Sequence, residues 1–128
     1  MATITSARVY VPARDFALSQ RFYKALGFAL TPGWGGTVDC ELGAMRFRLQ
    51  DYYVADWAGN FMFVLGVDDA QAWYDRAAAL RDEFPTIRVT PPEPVHDDRD
   101  GTTDVVTHVV DPSGVLLVLV QDSTVSAG

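Results

Sequence analysis

Residues 9–28 read VYVPARDFALSQRFYKALGF and carry the pattern that decides the fold. Apolar and polar residues alternate over Thr3–Val11, which predicts a half-buried strand. Asp15 is a typical helix N-cap, and Phe16–Leu26 has the apolar spacing of a helix that ends at Gly27. Four residues are predicted to face inward from this helix: Ser19, Phe22, Tyr23 and Leu26.

The same order of signals returns in residues 61–84, FMFVLGVDDAQAWYDRAAALRDEF. Phe61–Gly66 is predicted to be a strand, Asp68 or Asp69 to be an N-cap, and Ala70–Glu83 to be a helix. Asp69 matches Asp15 at an offset of 54 residues, and Arg8 then matches Met62. The apolar stripe of the second helix comprises Ala70, Trp73, Ala77, Leu80 and Phe84, with Trp73 in the core.

Three further strands are predicted after each helix. In the first half they are Phe28–Thr31 and a hairpin over residues 37–50 that turns at Leu42-Gly43, which sets Asp39 opposite Arg46 and Cys40 opposite Met45. In the second half, Ile87–Thr90 precedes a polar loop, Pro91–Thr102. A last hairpin, Thr103–Val110 and Val115–Gln121, turns over residues 111–114, with Val110 facing Val115.

This duplication predicts an α+β fold made of two βαβββ modules, residues 3–50 and 60–121, followed by a tail, 122–128. The modules are expected to form a curved mixed sheet with an open cleft and the helices on its convex face. All 128 residues are predicted to form one domain. Because each half leaves strand edges and apolar surface exposed, a homodimer is expected.

Charge and composition exclude several classes of protein. The 17 acidic residues outnumber the 10 Lys and Arg, and a net charge of −7 is unsuited to binding nucleic acid. No apolar run approaches the ~20 residues that a membrane-spanning helix needs. A single cysteine, Cys40, and the lack of a secretory signal at residues 1–6 predict a cytoplasmic protein.

Several motifs together resemble a known family. They are Val9–Asp15, Ser19, Phe22-Tyr23, Leu26-Gly27-Phe28 and Asp111-Pro112-Ser113-Gly114. In this order they are similar to the glyoxalase, bleomycin-resistance and extradiol-dioxygenase group, the vicinal oxygen chelate superfamily. The likeness spans residues 7–121 and looks strongest to the bleomycin-resistance branch.

Metal-dependent members of this superfamily hold one divalent ion with four His or Glu side chains. The resemblance transfers those positions to Arg8, Arg48, Met62 and Val118. A guanidinium has no free lone pair, valine has no donor atom, and one thioether is a poor ligand for a hard or borderline cation. The sequence therefore predicts no metal and no other cofactor.

The superfamily orientation puts five polar side chains on the pocket face: Arg8, Tyr10, Arg46, Arg48 and Gln50. Three guanidiniums there would attract a carboxylate or similar oxygen. The alternative is that Arg46 pairs with Asp39 and that Arg48 simply lies over the sheet. The second module would contribute Met62, Thr107 and Val118.

Aromatic residues in loops add a second hypothesis about the ligand. Trp34 and Trp57 are expected at the pocket mouth, where they would stack on a planar ligand, or alternatively would cover the core or a subunit contact. His108 is predicted opposite Leu117 and Thr107 opposite Val118, so His108 points toward the helices. His96 lies in the polar loop and is expected to be solvated.

These residues favour binding over catalysis, since the predicted pocket holds no acid or base that titrates near neutral pH. No catalytic residue is assigned. The leading hypothesis is a metal-free protein that holds a small planar ligand with an acidic oxygen, with drug sequestration as one role that such binding would serve. The alternatives are a lyase, isomerase or dioxygenase type of enzyme acting on a small carbonyl or carboxylate compound, and a purely structural interaction domain.

Overall fold

The computed structural model describes residues 2–122 and has the α+β architecture that the duplication predicts. Apart from Asp122, the predicted tail lies outside the described residues. The first module consists of β1 (Tyr10–Pro12), α1 (Phe16–Leu26), β2 (Ala29–Pro32), β3 (Val38–Leu42) and β4 (Met45–Gln50), with a 3-10 turn at Trp34–Gly36.

A short helix, α2 (Ala55–Gly59), connects the first module to the second; the sequence had indicated only a loop there. The second module consists of β5 (Met62–Gly66), α3 (Ala70–Ala78), β6 (Arg88–His96), β7 (Thr103–Val110) and β8 (Leu116–Gln121). None of the helices within residues 2–122 has the length and apolar character needed to cross a membrane.

The two modules form two separate four-stranded sheets with the same strand order. The first sheet runs β1-β4-β3-β2 and the second runs β5-β8-β7-β6. In each, the first strand pairs in parallel with the last, and the other pairings are antiparallel. The predicted repeat of βαβββ units is therefore present, as two mixed sheets.

Helix α1 begins and ends where the sequence predicts. The Asp15 carboxylate accepts a hydrogen bond from the Leu18 amide at 3.0 Å, and the Gly27 amide donates to Lys24 O at 3.1 Å. The four predicted inward residues, Ser19, Phe22, Tyr23 and Leu26, are fully buried.

One core lies between the helices and the helix-facing sides of both sheets. The Phe22 ring of α1 meets Phe84 of the second module edge to face, with centroids 5.5 Å apart. Phe47 of β4 lies 5.5 Å from Phe63 of β5. Because these aromatic pairs connect the two modules, the modules bury a shared set of apolar side chains.

The ends of two elements differ from prediction. The first strand covers only Tyr10–Pro12; Val9, just before it, still accepts a backbone hydrogen bond from the Arg48 amide at 2.8 Å but is 46% exposed and gains little from burial. Helix α3 ends at Ala78 instead of Glu83. The amides of Leu80 and Arg81 bond three residues back instead of four, which tightens the final turns. Trp73, predicted in the core, is half-buried.

Strand β6 is longer than predicted. It continues through Pro91, Pro92 and Pro94, in the segment expected to be a loop. It is an edge strand, where proline removes no required ladder donor, and its register shifts between Thr90 and Glu93. His96 therefore ends a strand and contacts Thr103, with Nδ1 3.0 Å from the hydroxyl.

The predicted register of the β3–β4 hairpin is wrong by two residues. Leu42 pairs with Met45, so Gly43 and Ala44 form the turn, and Gly43 has a φ of +58° at the first turn position. Leucine at that position would be strained, and a type II′ turn places glycine there. Asp39 is consequently opposite Arg48, and Glu41 is opposite Arg46. A two-residue shift leaves every side chain on its predicted face.

The predicted register of the β7–β8 hairpin is wrong by one residue. Asp111 and Val115 close the turn, and Gly114 adopts a φ of +94° as the last of three loop residues. His108 is thus opposite Val118, and Thr107 is opposite Leu119. A one-residue shift exchanges the two faces of a strand, so the predicted orientations of His108 and Thr107 are both wrong.

Candidate functional site

The face of the first sheet that points away from the helices carries a row of polar residues. Tyr10, Arg48, Asp39 and Thr31 pair in sequence across β1, β4, β3 and β2. We call this side of each sheet its open face. The neighbouring residues of the core, such as Val11 and Leu49, point to the other side and are fully buried.

Arg48 is the centre of this open face. Its Nε donates to Asp39 Oδ1 at 2.7 Å and its Nη2 donates to Asp39 Oδ2 at 3.2 Å, which makes the ion pair bidentate. The two side chains are only 16% and 19% exposed. The third guanidinium nitrogen, Nη1, donates to Tyr10 Oη at 3.3 Å. Arg48 therefore does not lie loosely over the sheet, and its partner is Asp39.

The electrostatics of the open face follow from this pair. The hydrogen bond from Arg48 lowers the pKa of Asp39, and the charges of Arg8 and Arg46 lower it further, while partial burial opposes them. The pKa of Arg48 is raised, first by its bond to Asp39 and then by Tyr10. Both groups are charged at neutral pH.

The other predicted polar residues surround Arg48. Arg8 is exposed and donates only to the adjacent Ala7 O, at 3.1 Å. Arg46 is exposed and lies 3.7 Å from Glu41, a loose ion pair. Gln50 is half-buried at the end of β4, opposite Pro12. Three guanidiniums thus share the face with two carboxylates, which leaves one net positive charge.

The two predicted aromatic residues are on the surface. Trp34, in the 3-10 turn, is 77% exposed, and its backbone oxygen accepts from the Thr37 hydroxyl at 2.6 Å. Trp57, in α2, is 65% exposed and lies 6.5 Å from the Tyr52 ring. The structure does not bury either indole in the core.

The open face of the second sheet is apolar where the first is charged. Val64, Val118, His108 and Thr90 form the equivalent row across β5, β8, β7 and β6. Val64 is 68% exposed, and Met62 on the same strand is 57% exposed. Val118 thus occupies the position of Arg48, and His108 the position of Asp39.

His108 is the residue of this face that the sequence prediction missed. Its Nδ1 is 3.4 Å from the Thr90 hydroxyl, and its side chain is exposed on the open face. Thr107, which was expected there, is fully buried and donates its hydroxyl to Thr90 O on the neighbouring strand. A three-residue loop, Pro112-Ser113-Gly114 with a left-handed glycine, was the sequence signal for the correct register.

The four positions that hold a metal in related proteins do not fit one here. Arg8 and Arg48 lie on the first open face and Met62 and Val118 on the second, so they offer a single thioether between them. Within residues 2–122, no group of three or more His, Cys, Asp and Glu side chains is placed to hold an ion.

No protein-family model and no curated protein matches the chain. Solved structures do match it. A bleomycin resistance determinant encoded on the transposon Tn5 is 25% identical, with a TM-score of 0.70 over 94% of this chain and 99% of that one. A bleomycin-binding protein in complex with bleomycin is 24% identical, with a TM-score of 0.69 over 92% of this chain and 98% of that one. Lactoylglutathione lyase from Agrobacterium tumefaciens is 17% identical, with a TM-score of 0.60 over 93% of this chain and 95% of that one.

The fold and these similarities support the class that the motifs indicated: the chain has the fold of the glyoxalase and bleomycin-resistance superfamily. Within the superfamily it lies close to the bleomycin-resistance branch.

Proposed function

We propose that the protein binds a small planar molecule carrying an acidic oxygen, and holds it without turning it over or using a metal. The observation that carries this proposal is the cluster of Arg8, Tyr10, Arg46 and Arg48 on one open face. The similar bleomycin-binding protein, solved with bleomycin, supports a binding role over catalysis.

The Arg48–Asp39 pair sets the strength of that site. Because two of the Arg48 nitrogens already bind Asp39, an acidic oxygen would be met mainly by Arg8, Arg46 and the Nη1 side of Arg48. Tyr10, 37% exposed beside Arg48, offers a ring face for a planar ligand.

A fluorescence titration tests this proposal, with Trp34 and Trp57 as exposed reporters. Aromatic carboxylates should bind more tightly than cationic glycopeptides, and Arg8→Met should weaken them about fivefold, roughly 1 kcal/mol. Asp39→Asn should strengthen them, because it frees the Arg48 guanidinium. Asp82→Asn is the matched control, since it removes the same charge at an exposed position outside the cluster. Tighter binding of the cationic compounds would refute the proposal.

We also propose a cytoplasmic homodimer whose ligand lies between the charged open face of one chain and the apolar open face of its partner. Val64 and Met62 support it, because exposed apolar side chains on a sheet face commonly mark an interface. Sedimentation equilibrium should give about twice 14.1 kDa. Val64→Glu should yield monomers, whereas Ala72→Glu, which adds the same charge at an exposed position of helix α3, should not.

His108 favours one alternative, an enzyme of the superfamily that acts on a small carbonyl or carboxylate compound. The pocket predicted from the sequence contained no acid or base for proton transfer. The His108 imidazole on the open face supplies such a group. Proton exchange of pyruvate in D₂O, followed by NMR, distinguishes the two functions. Exchange faster than in buffer that disappears in His108→Gln would support the enzyme; we expect no acceleration.

A further inference from the structure

A cavity of about 490 Å³ lies between the two modules, away from the first open face and at the edge of the second, where Val64 lines it. Its walls are the β3–β4 turn of the first module and, in the second module, the end of β5 and the start of α3. Leu42 and Met45 line one side, and Val67, Trp73 and Leu119 line the other. Its volume is within the range of ~300–1,000 Å³ found for small-molecule sites.

The duplication explains why the chain has a cavity at this place. A hairpin turn of each module meets the strand–helix connection of the other, so there are two such junctions. We call the one formed by the β7–β8 turn and residues 12–23 the closed junction. The one formed by the β3–β4 turn and residues 64–73 is the open junction.

Polar side chains fill the closed junction. Ser113 accepts from the Arg14 amide at 2.9 Å and lies 3.2 Å from the Ser19 hydroxyl. Tyr23 donates to Asp111 at 2.6 Å. At the open junction the turn has two residues, Gly43 and Ala44, and neither carries a side chain that could reach across. The cavity at the open junction therefore corresponds to the space that the longer β7–β8 turn fills at the closed junction.

The walls of the open junction have the composition of a ligand site. Most lining residues are apolar. The Trp73 indole is half-buried, and the Arg76 guanidinium, 4.9 Å from its ring centroid, holds it in place on one side. Among the described residues that line the cavity, Asp68 alone is charged, and it is exposed. A net charge of −7 adds a long-range preference for cations.

We propose that the open junction is a second binding site, which takes a small aromatic amine. The hydrophobic ring system enters between Leu42 and Trp73, and the ammonium group meets the Asp68 carboxylate. This site is separate from the Arg48 cluster, because none of the residues of that cluster lines it; it shares only Val64 with the apolar open face.

Binding of 2-naphthylmethylamine to the full chain, followed by calorimetry and by amide NMR shifts, tests the proposal. The shifts should map to residues 42–45 and 64–68. The neutral analogue 2-naphthylmethanol should bind at least threefold more weakly, and Asp68→Asn should remove that difference.

Two bulky variants make the test specific to this cavity. Ala44→Trp fills it from an exposed turn and should weaken the amine at least tenfold. Ala79→Trp, an equal change at an exposed site outside the cavity, should not. Arg8→Met should also leave amine binding unchanged, which separates this proposal from the anion site. Shifts that map to Tyr10 and Arg48, or unaltered affinity in a folded Ala44→Trp, would overturn it.

Discussion

The closed and open junctions occupy equivalent places in a duplicated fold, yet one is a buried hydrogen-bond network and the other is a cavity. Ser19 of α1 corresponds to Trp73 of α3, and Tyr23 corresponds to Ala77, at the same offset of 54 residues. At the closed junction these positions are fully buried. The comparison shows that the length and polarity of the hairpin turn decide whether a junction is filled by a stabilising hydrogen-bond network or left as a cavity.

The largest expected effect is at Asp111, in the closed junction. Its buried carboxylate accepts from Tyr23 Oη at 2.6 Å, from the Ser113 amide at 2.7 Å and from the Val115 amide at 3.0 Å. Asp111→Ala leaves these donors without a partner, so we expect a loss of about 3–5 kcal/mol in the free energy of unfolding. Urea unfolding measures it, with exposed Asp98→Ala as the control. A loss below ~1 kcal/mol would contradict the assigned role of the network.

Tyr23→Phe should have a smaller effect, about 1–2 kcal/mol at pH 7, because Asp111 keeps its two amide donors. Burial, followed by the Asp111 charge, raises the pKa of Tyr23 well above its usual value. The unfolded chain loses this proton near pH 10 while the folded chain keeps it, so the wild type loses stability as pH rises above ~10.

The advantage of wild type over Tyr23→Phe should therefore shrink above pH 10. Cys40, whose pKa burial raises to about 12, is present in both proteins and affects both equally. Chemical unfolding at pH 7, 10 and 11 measures the difference, and a constant difference across these values would rule out titration of Tyr23.

Much of this arrangement could be predicted from sequence, because helix α1, its two caps and the repeated pattern are local signals. The side of the first sheet that faces away from the core was also predictable, since alternation survives a two-residue shift in register. The Arg48–Asp39 pair was not predictable from alternation, because it depends on which residues form the turn.

His108 shows where prediction from a single chain fails most completely. One residue of difference in the length of the β7–β8 loop moved its imidazole from the predicted core side to the open face. The cavity at the open junction had no sequence signal of its own, because it results from the difference between the two-residue turn of the first module and the longer, polar turn of the second. Only the spatial comparison of the two turns shows it.

Gly43→Ala tests whether the backbone of the turn at the open junction requires glycine. The φ of +58° is unfavourable for alanine, while the space around a new Cβ is empty, so the expected cost of about 1 kcal/mol comes from conformation alone. Thermal unfolding measures it. Gly59→Ala is the control, because it also has open space but no positive φ. Equal effects of the two substitutions would show that the turn is not strained.

The smallest expected effect is at Arg76, whose side chain lies beside the open junction. Its Nη1 donates to Leu26 O, at the end of α1, at 3.1 Å, and its guanidinium lies over Trp73. This contact is the counterpart of the Asp111 network, because each connects a helix of one module to a backbone or turn of the other. It is only partly buried, however, and water can replace the guanidinium at the Leu26 carbonyl.

We therefore expect Arg76→Met, which keeps much of the packing on Trp73, to cost about 0.5 kcal/mol, several times less than Asp111→Ala. Urea unfolding of the two variants side by side gives the ratio. If Arg76→Met costs as much as Asp111→Ala, then the open junction contributes to stability as the closed one does. The distinction between a stabilising closed junction and an open junction that mainly provides a cavity would then be wrong.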